Sequence, residues 1–228
     1  MTPRLDQLLP AQLALWPQLA PCAGLRYVLY GGTAITLWLG HRVSVDFDFF
    51  TDQPLDRKRL RAALPWLKRS LVIQDRPETL TVLASPDTAR CDTVKVSFFG
   101  GIGFGRVGEP SLTADGVAWV ASLEDLMASK LKVMLQRISS KDYLDVAALL
   151  DAGVDLAVGL AAARALWGDA FQPMESLKAL AYFEGGDLAT LPATVRQKLI
   201  AAAARVAHLP LIPRKSTRLS PDEQPYDQ

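Results

Sequence analysis

The sequence predicts an α+β (mixed α/β) fold: a mixed twisted sheet flanked by helices over about residues 1–120, then a C-terminal helical bundle over 121–212. Three observations predict it. Strand patterns crowd into the first half, helical spacing fills the second, and an early strand passes through Gly31-Gly32 straight into a helix.

The first residues, Leu5 to Leu19, carry Leu, Trp and Ala at helical spacing, interrupted or kinked by Pro10 and Pro17. Leu25 to Tyr30 reads as a short buried strand, and Thr33 to Leu39 as a helix with Thr33 placed to cap it. Val43 to Phe50 alternates as a strand does: Val45, Phe47 and Phe49 face one side, Ser44, Asp46 and Asp48 the other. Leu55 to Lys68 is a basic amphipathic helix bent or shortened by Pro65. Strands at Leu71 to Gln74, Thr79 to Ala84 and Thr93 to Phe99 are divided by turns at Arg76-Pro77 and Ser85-Pro86-Asp87, which predicts an antiparallel meander. Gly100 to Gly105 is a glycine-dense loop, because no helix start follows it to make a phosphate cradle. From Ser122, with Asp125 in a capping-box position, a helical pattern runs through Leu135, breaks near Ser139-Ser140 and resumes to Leu150. Further helices are predicted at Leu156 to Leu166, Met174 to Phe183 and Val195 to Ala207. Polar, proline-bearing residues 213–228 predict a disordered tail.

The 228 residues are half hydrophobic and 21% charged, the balance of a packed globular chain. The net charge of +1 supplies no global field for nucleic acid, so such a partner needs a local basic patch. Cys22 and Cys91 lack CxxC or Cys/His spacing, which argues against zinc and a disulfide framework and suits a reducing cytoplasm. The N-terminus lacks a basic start and apolar run, and no later segment stays apolar for a bilayer's roughly 20 residues. The Ala-rich Val154 to Leu166 is bracketed by Asp155 and Arg164 and reads as a packed helix, so no membrane partner is expected.

The candidate site lies between Gly31 and Asp48. Two aspartates two positions apart on one strand face stand within about 7 Å, and their repulsion asks for a cation. Magnesium answers that need, since hard cations take carboxylate and phosphate oxygens together. A solvated acidic face is the plain alternative for an isolated Asp-x-Asp. The surroundings favour a site: Gly31, Gly32 and Thr33 bring backbone N–H groups and a helix dipole to where a triphosphate could sit, and Arg42 adds fixed positive charge. Lys130 and Arg137 are seven apart and share one helix face, continued by Lys141 if the helix is unbroken. Such a stripe can steady charge on a transferring phosphoryl group, or serve as an ordinary solvated surface. Asp142 and Asp145 read equally as salt-bridge partners of Lys141 and Arg137 or as catalytic acids.

Tyr30-Gly31-Gly32, a helix, then Val45-Asp46-Phe47-Asp48-Phe49 resembles the hG[GS]…Dh[DE]h signature of the polymerase-β nucleotidyltransferase superfamily. Within it, GGTAITLWLGHRVSVDFDFF and SLEDLMASKLKVMLQRISSKDYLDVAALL are similar to the AbiEii/AbiGii toxin family, over about Val28 to Leu150. The resemblance implies a polymerase-β-like nucleotidyltransferase core at 1–120 and a two-metal transfer of a nucleoside monophosphate from an NTP to a hydroxyl, with pyrophosphate leaving. The implied ions are Mg2+, with Mn2+ able to substitute. The implied acceptor is RNA (tRNA) or a protein, and the implied regulator a cognate antitoxin. Carried onto matched positions, the roles are phosphate binding for Gly31, Gly32 and Thr33, metal binding for Asp46 and Asp48, phosphate or acceptor contact for Lys130, and catalytic support from Asp142 or Asp145.

The superfamily commonly adds a third carboxylate on a later strand. Here Ser97 holds that position with Lys95 on the same face, leaving Asp92 or Asp142 as stand-ins. The departure keeps open a catalytically weakened module that binds nucleotide or a partner. A nucleotide-sugar glycosyltransferase is disfavoured, because only 45 residues precede Asp46 and its nucleotide-binding region ordinarily needs more.

Overall fold

The computed structural model describes residues 1–85 and 92–222. Among them one sheet holds β1 (Val28–Tyr30), β2 (Asp46–Phe50), β3 (Leu71–Arg76), β4 (Thr79–Ala84), β5 (Val94–Phe99), β6 (Ser111–Leu112) and β7 (Trp119–Val120). Their spatial order is β3-β4-β5-β2-β1-β7-β6. The meander β3-β4-β5 is antiparallel as expected, whereas β5 runs parallel to β2, and β7 parallel to β1. The predicted mixed sheet is therefore present. Two-residue strands such as β6 and β7 are too short to carry an alternation, so the sequence pattern missed them. β1 begins three residues later than expected, because Arg26 adopts a left-handed φ of 63° that no extended strand accommodates.

The helices are α1 (Pro10–Leu15), α2 (Pro21–Gly24), α3 (Gly31–Leu39), α4 (Arg57–Ala63), α5 (Leu123–Val133), α6 (Ser140–Asp151), α7 (Leu156–Trp167), α8 (Pro173–Ala181) and α9 (Ala193–Arg205). Pro10 opens α1 and Pro17 sits in the first turn of a 3-10 segment, Trp16–Leu19, where a missing N–H costs nothing. Pro65 likewise ends α4 and opens the 3-10 turn Pro65–Arg69. Ser122 caps α5 by accepting the Asp125 N–H at 3.1 Å. The Asp125 carboxylate accepts the Ser122 hydroxyl at 2.9 Å, and it also accepts from Val107 and Gly108 N–H, tying the β6 approach to the helix.

The strand alternation decides how the sheet's two faces are used. Phe47, Phe49 and Phe98 point to one face, where Phe49 stacks on Phe98 at 5.7 Å and Trp16 and Trp66 close over them. Each such buried ring is worth about 1.5–3 kcal/mol, so this face is core. Asp46, Asp48 and Ser97 occupy the opposite face, over which α5 and α6 stand. The helical part closes tightly on α5: a Cβ on Gly159 of α7 would come within 2.3 Å of Met127, so only glycine permits this approach.

Two expectations need correction. Lys130 and Arg137, expected to share one helix face, do not: α5 ends at Val133, short of Arg137, and the break before α6 at Ser140 also separates Lys141 from that face. The expected disorder from 213 onward does not extend to residues 213–222, which pack against the loop before β6. Arg106 N–H donates to Ser216 O at 2.9 Å and Lys215 N–H to Arg106 O at 2.8 Å. The Arg106 side chain, 1% exposed, reaches Arg218 O, Glu109 and Asp222. A buried guanidinium must find acceptors, and this segment brings them. The predicted turn at Pro86-Asp87, Cys91, and the tail's last six residues lie outside the described residues.

Candidate active site

The β2–β5 register sets Asp46 beside Lys95 and Asp48 beside Ser97. Across β4 and β3 the second row continues through Thr81 and Gln74, forming a polar line on one face. Above it lies a cleft of about 690 Å³, lined among others by Gly31, Gly32, Asp46, Asp48, Lys130 and Arg137. Phe50 and Phe99, in edge contact at 4.9 Å, supply an apolar row beside the polar one.

Gly31 and Gly32 begin α3 directly after β1, with Tyr30 at the cap position three residues ahead of Thr33. Gly31 holds φ 76°, and a Cβ there would stand 2.7 Å from the Asp48 carboxylate. At Gly32 a Cβ would meet the Arg42 guanidinium at 2.5 Å and Ser44 Oγ at 2.9 Å. The glycines therefore make room for the protein's own Asp48 and Arg42. Thr33 turns inward: 1% exposed and inside the helix, it donates its hydroxyl to the Asp46 carbonyl, pinning α3 to β2. It is neither a cap nor among the residues lining the cleft.

Asp46 and Asp48 share the cleft face. Burial raises the Asp48 carboxyl above its usual range and the neighbouring Asp46 charge adds to this, while Ser97, Lys95 and Lys130 pull against them. Asp46 pairs with Lys95 Nζ at 2.6 Å, both side chains about a third exposed or more. Among the described residues no group of three or more His, Cys, Asp or Glu stands ready to hold a metal.

The second cluster comes from α5, α6 and the α3–β2 connection. Lys130 Nζ, 7% exposed, lies 2.9 Å from Asp142 Oδ1 and 2.7 Å from Asp145 Oδ2. Arg137 donates to both Asp142 oxygens at 2.8 and 3.0 Å. Arg42 grips Asp145 with two N–H groups at 2.7 and 2.9 Å, and His41 Nε2 stands 2.6 Å from Oδ1. Burial alone would raise both carboxyls; for Asp142 the Arg137 and Lys130 contacts reverse that, and for Asp145 those of His41, Lys130 and Arg42 hold it far below. The salt-bridge role of these aspartates is thus realised, with Lys130 and Arg42 as partners where Lys141 was expected. Lys141 is exposed at the cleft rim. Asp92 is exposed before β5.

Sequence reasoning passed over three residues of the site. His41 carries no motif of its own, and its contact with Asp145 arises only in the fold. Ser44, 8% exposed, packs against the Gly32 backbone. Thr81 joins the polar row, and its signal was present in the alternation of Thr79, Thr81 and Leu83 along β4.

The pattern described as "Nucleotidyl transferase AbiEii toxin, Type IV TA system" matches residues 22–218. The chain belongs to the AbiEii nucleotidyl transferase toxin family. That match takes in the glycine turn, both acidic strand positions and the Lys130 cluster. An uncharacterized protein of Aquifex aeolicus (strain VF5) is 31% identical over 122 residues, 53% of this chain and 55% of its own length. The chain thus spans about half the length of that curated relative. The crystal structure of the Megavirus polyadenylate synthase aligns with 62% of this chain and 32% of that one, at 11% identity and a TM-score of 0.43. Among the described residues no single helix is long and apolar enough to cross a membrane.

Proposed function

We propose that this AbiEii-family chain is a metal-dependent nucleotidyltransferase that moves a nucleoside monophosphate from an NTP to a hydroxyl of an RNA (tRNA-like) or protein acceptor. It acts as the toxin of a toxin–antitoxin pair, restrained by a cognate antitoxin, in the cytoplasm. One observation carries the reading: Asp46 and Asp48 face the same cleft, and the Asp48 carboxyl is raised by burial and by its neighbour's charge. Two acids left in mutual repulsion fit a divalent cation.

Asp46 and Asp48 would hold that ion, Mg2+ with Mn2+ able to replace it, and triphosphate and water would complete its ligands, including those of a second ion. When bound, the ion draws carboxylate and phosphate oxygens together and offsets charge on the transferring group. The acceptor oxygen attacks the α-phosphorus, its new bond forming as the bond to pyrophosphate breaks. Lys130 and Arg137, at the cleft wall, stabilise that charge. Arg42, spent on Asp145, acts by holding the wall, and the Gly31-Gly32 turn sets Asp48's position. Asp142 and Asp145, ionised and enclosed by cations, position Lys130, Arg137 and Arg42. The hydroxyl proton leaves to Asp46, Asp48 or water. Phe50 and Phe99 offer an apolar surface to the base.

The test is magnesium-dependent transfer of label from each NTP into total RNA or protein. Loss of label in the combined Asp46→Ala, Asp48→Ala variant supports the reading, and unchanged label removes these acids from the site. A second reading, nucleotide binding without turnover, is favoured by Ser97 where an acid is expected and by Lys95 on Asp46. Retained NTP binding with no transfer to any acceptor would select it.

A further inference from the structure

The basic helix near Pro65 has no part in the cleft. Residues 57–69 read Arg-Lys-Arg-Leu-Arg-Ala-Ala-Leu-Pro-Trp-Leu-Lys-Arg, with six basic side chains and no acid. The chain has 25 Lys and Arg against 24 Asp and Glu, so without these six it would hold 19 against 24. The positive excess is concentrated in this one surface.

The fold turns that charge outward. Leu60, Leu64, Trp66 and Leu67 are buried, Trp66 against Phe98. Arg57 folds onto the strand edge, pairing with Asp75 and donating to the Pro77 and Arg76 carbonyls. Lys58, Arg59, Arg61, Lys68 and Arg69 remain exposed, and among the described residues none of the five makes an ion pair. Asp56, at the cap of α4, is the nearest acid in the sequence and accepts the Arg59 N–H. Five unneutralised cations within the twelve residues 58–69 repel one another, and a polyanion relieves that repulsion.

Position sets the geometry. Trp66 packs on Phe98, and Phe98 points away from the cleft that Ser97 faces, so the basic surface lies on the opposite side of the sheet. β3 begins directly after Ser70, and its Ile73 and Gln74 line the cleft. A chain lying on the basic surface reaches the cleft by crossing this outer strand.

We propose that α4 and the 3-10 turn Pro65–Arg69 form a docking surface for the phosphodiester backbone of RNA, holding it by a part remote from the end that enters the cleft. RNA fits better than an acidic protein: the surface itself offers exposed cations, which suits evenly spaced phosphates and sequence-independent binding, and the exposed apolar Leu71, Val72 and Ile73 belong to the adjoining β3. That the bound RNA is also the acceptor rests on the proposed function; the binding itself does not.

The experiment uses the full chain carrying Asp46→Asn and Asp48→Asn, without NTP, and measures binding of fluorescent total tRNA over a salt series. The triple variant Lys58→Gln, Arg61→Gln, Lys68→Gln in that background is expected to bind at least about tenfold more weakly near 100 mM salt. Its slope of log affinity against log salt should flatten by about two to three, as expected for three lost phosphate contacts. A control with Lys178→Gln and Arg205→Gln, exposed basic residues elsewhere, should bind like the parent. Equal thermal midpoints show that folding is unaffected. Unchanged RNA binding in the triple variant overturns the proposal. So does parental binding of polyglutamate that matches or exceeds that of tRNA, which would reassign the surface to an acidic protein. If the triple variant loses tRNA while the chain with Asp46 and Asp48 intact transfers no nucleotide, the docking surface stands and the proposed function falls.

Discussion

Two pairs of aspartates stand within one cleft region and meet opposite electrostatic fates. Asp46 and Asp48, two apart on β2, are partly exposed, and among the described residues Lys95 is the lone cation bonded to the pair. Asp142 and Asp145, three apart on α6, are fully enclosed and share Lys130, Arg137, Arg42 and His41. Burial pushes Asp48, Asp142 and Asp145 in the same direction. With too few counter-charges it raises Asp48; with an excess of them Asp142 and Asp145 fall below the usual range. A carboxylate pair that is short of positive charge can recruit a cation with its substrate, whereas a saturated pair can only hold its neighbours still.

The largest effect expected from this contrast is on stability. Asp145→Asn takes from Arg42 its carboxylate and leaves Lys130 with Asp142 alone in a buried setting, and should cost about 3–5 kcal/mol, read as a fall of roughly 10 °C in thermal midpoint. Because folding depresses this carboxyl, its contribution is complete above the ordinary carboxylate range and is lost progressively as pH falls from that range toward its depressed folded value. The parent should therefore lose stability steeply below about pH 4, and the variant less so. Parallel acid-unfolding curves for the two would dissolve the contrast. Lys130→Ala belongs to the same class: it leaves Asp142 and Asp145 underpaired, so folding should suffer along with triphosphate use.

Next comes catalysis. Asp48→Asn should lower nucleotide transfer by more than about 100-fold, beyond what loss of a residue merely supporting a metal ligand costs. Its stability should move the other way from Asp145→Asn. Asp48 is raised on folding, so its ionised form costs stability near neutral pH and protonation restores it as pH falls. The variant should be as stable as the parent at pH 7, or slightly more so, by thermal melting. A clear drop in midpoint would mean Asp48 serves the fold and not an ion.

The same contrast explains what could be read in the residues beforehand. The β2 alternation and the Gly31-Gly32 turn were legible because both are local: side-chain period and backbone freedom need no tertiary knowledge. The helices α5 and α6 and the break between them were legible for the same reason. Where Thr33 points, and which acids Lys130 and Arg42 choose, depends on how α3 lies against β2 and α6, and spacing along the chain carries no such information. The packing of residues 213–222 escaped because its cause, a buried Arg106 over a hundred positions away, leaves no local trace. The change of face use at Ser97 was visible, since register along β5 follows from alternation alone, although its pairing with Asp48 was not.

Ser97→Ala tests that pairing. It removes a hydroxyl that favours the ionised Asp48, a contact worth about 1 kcal/mol, so transfer should fall roughly fivefold while the fold is retained, by kinetics and melting. Unchanged transfer would make Ser97 a filler on the sheet face.

The smallest effect separates competition from support. Lys95 and the proposed divalent ion would compete for Asp46, and the lysine is 40% exposed against 32% for its partner, so the pair itself is worth at most about 1 kcal/mol. Lys95→Met should therefore hardly move the melting midpoint. It should instead lower the magnesium concentration needed for half-maximal transfer, since the ion no longer displaces a bound ammonium. If the variant needs more magnesium, Lys95 assists the phosphate, and Asp46 is already held in its working position by the strand alone.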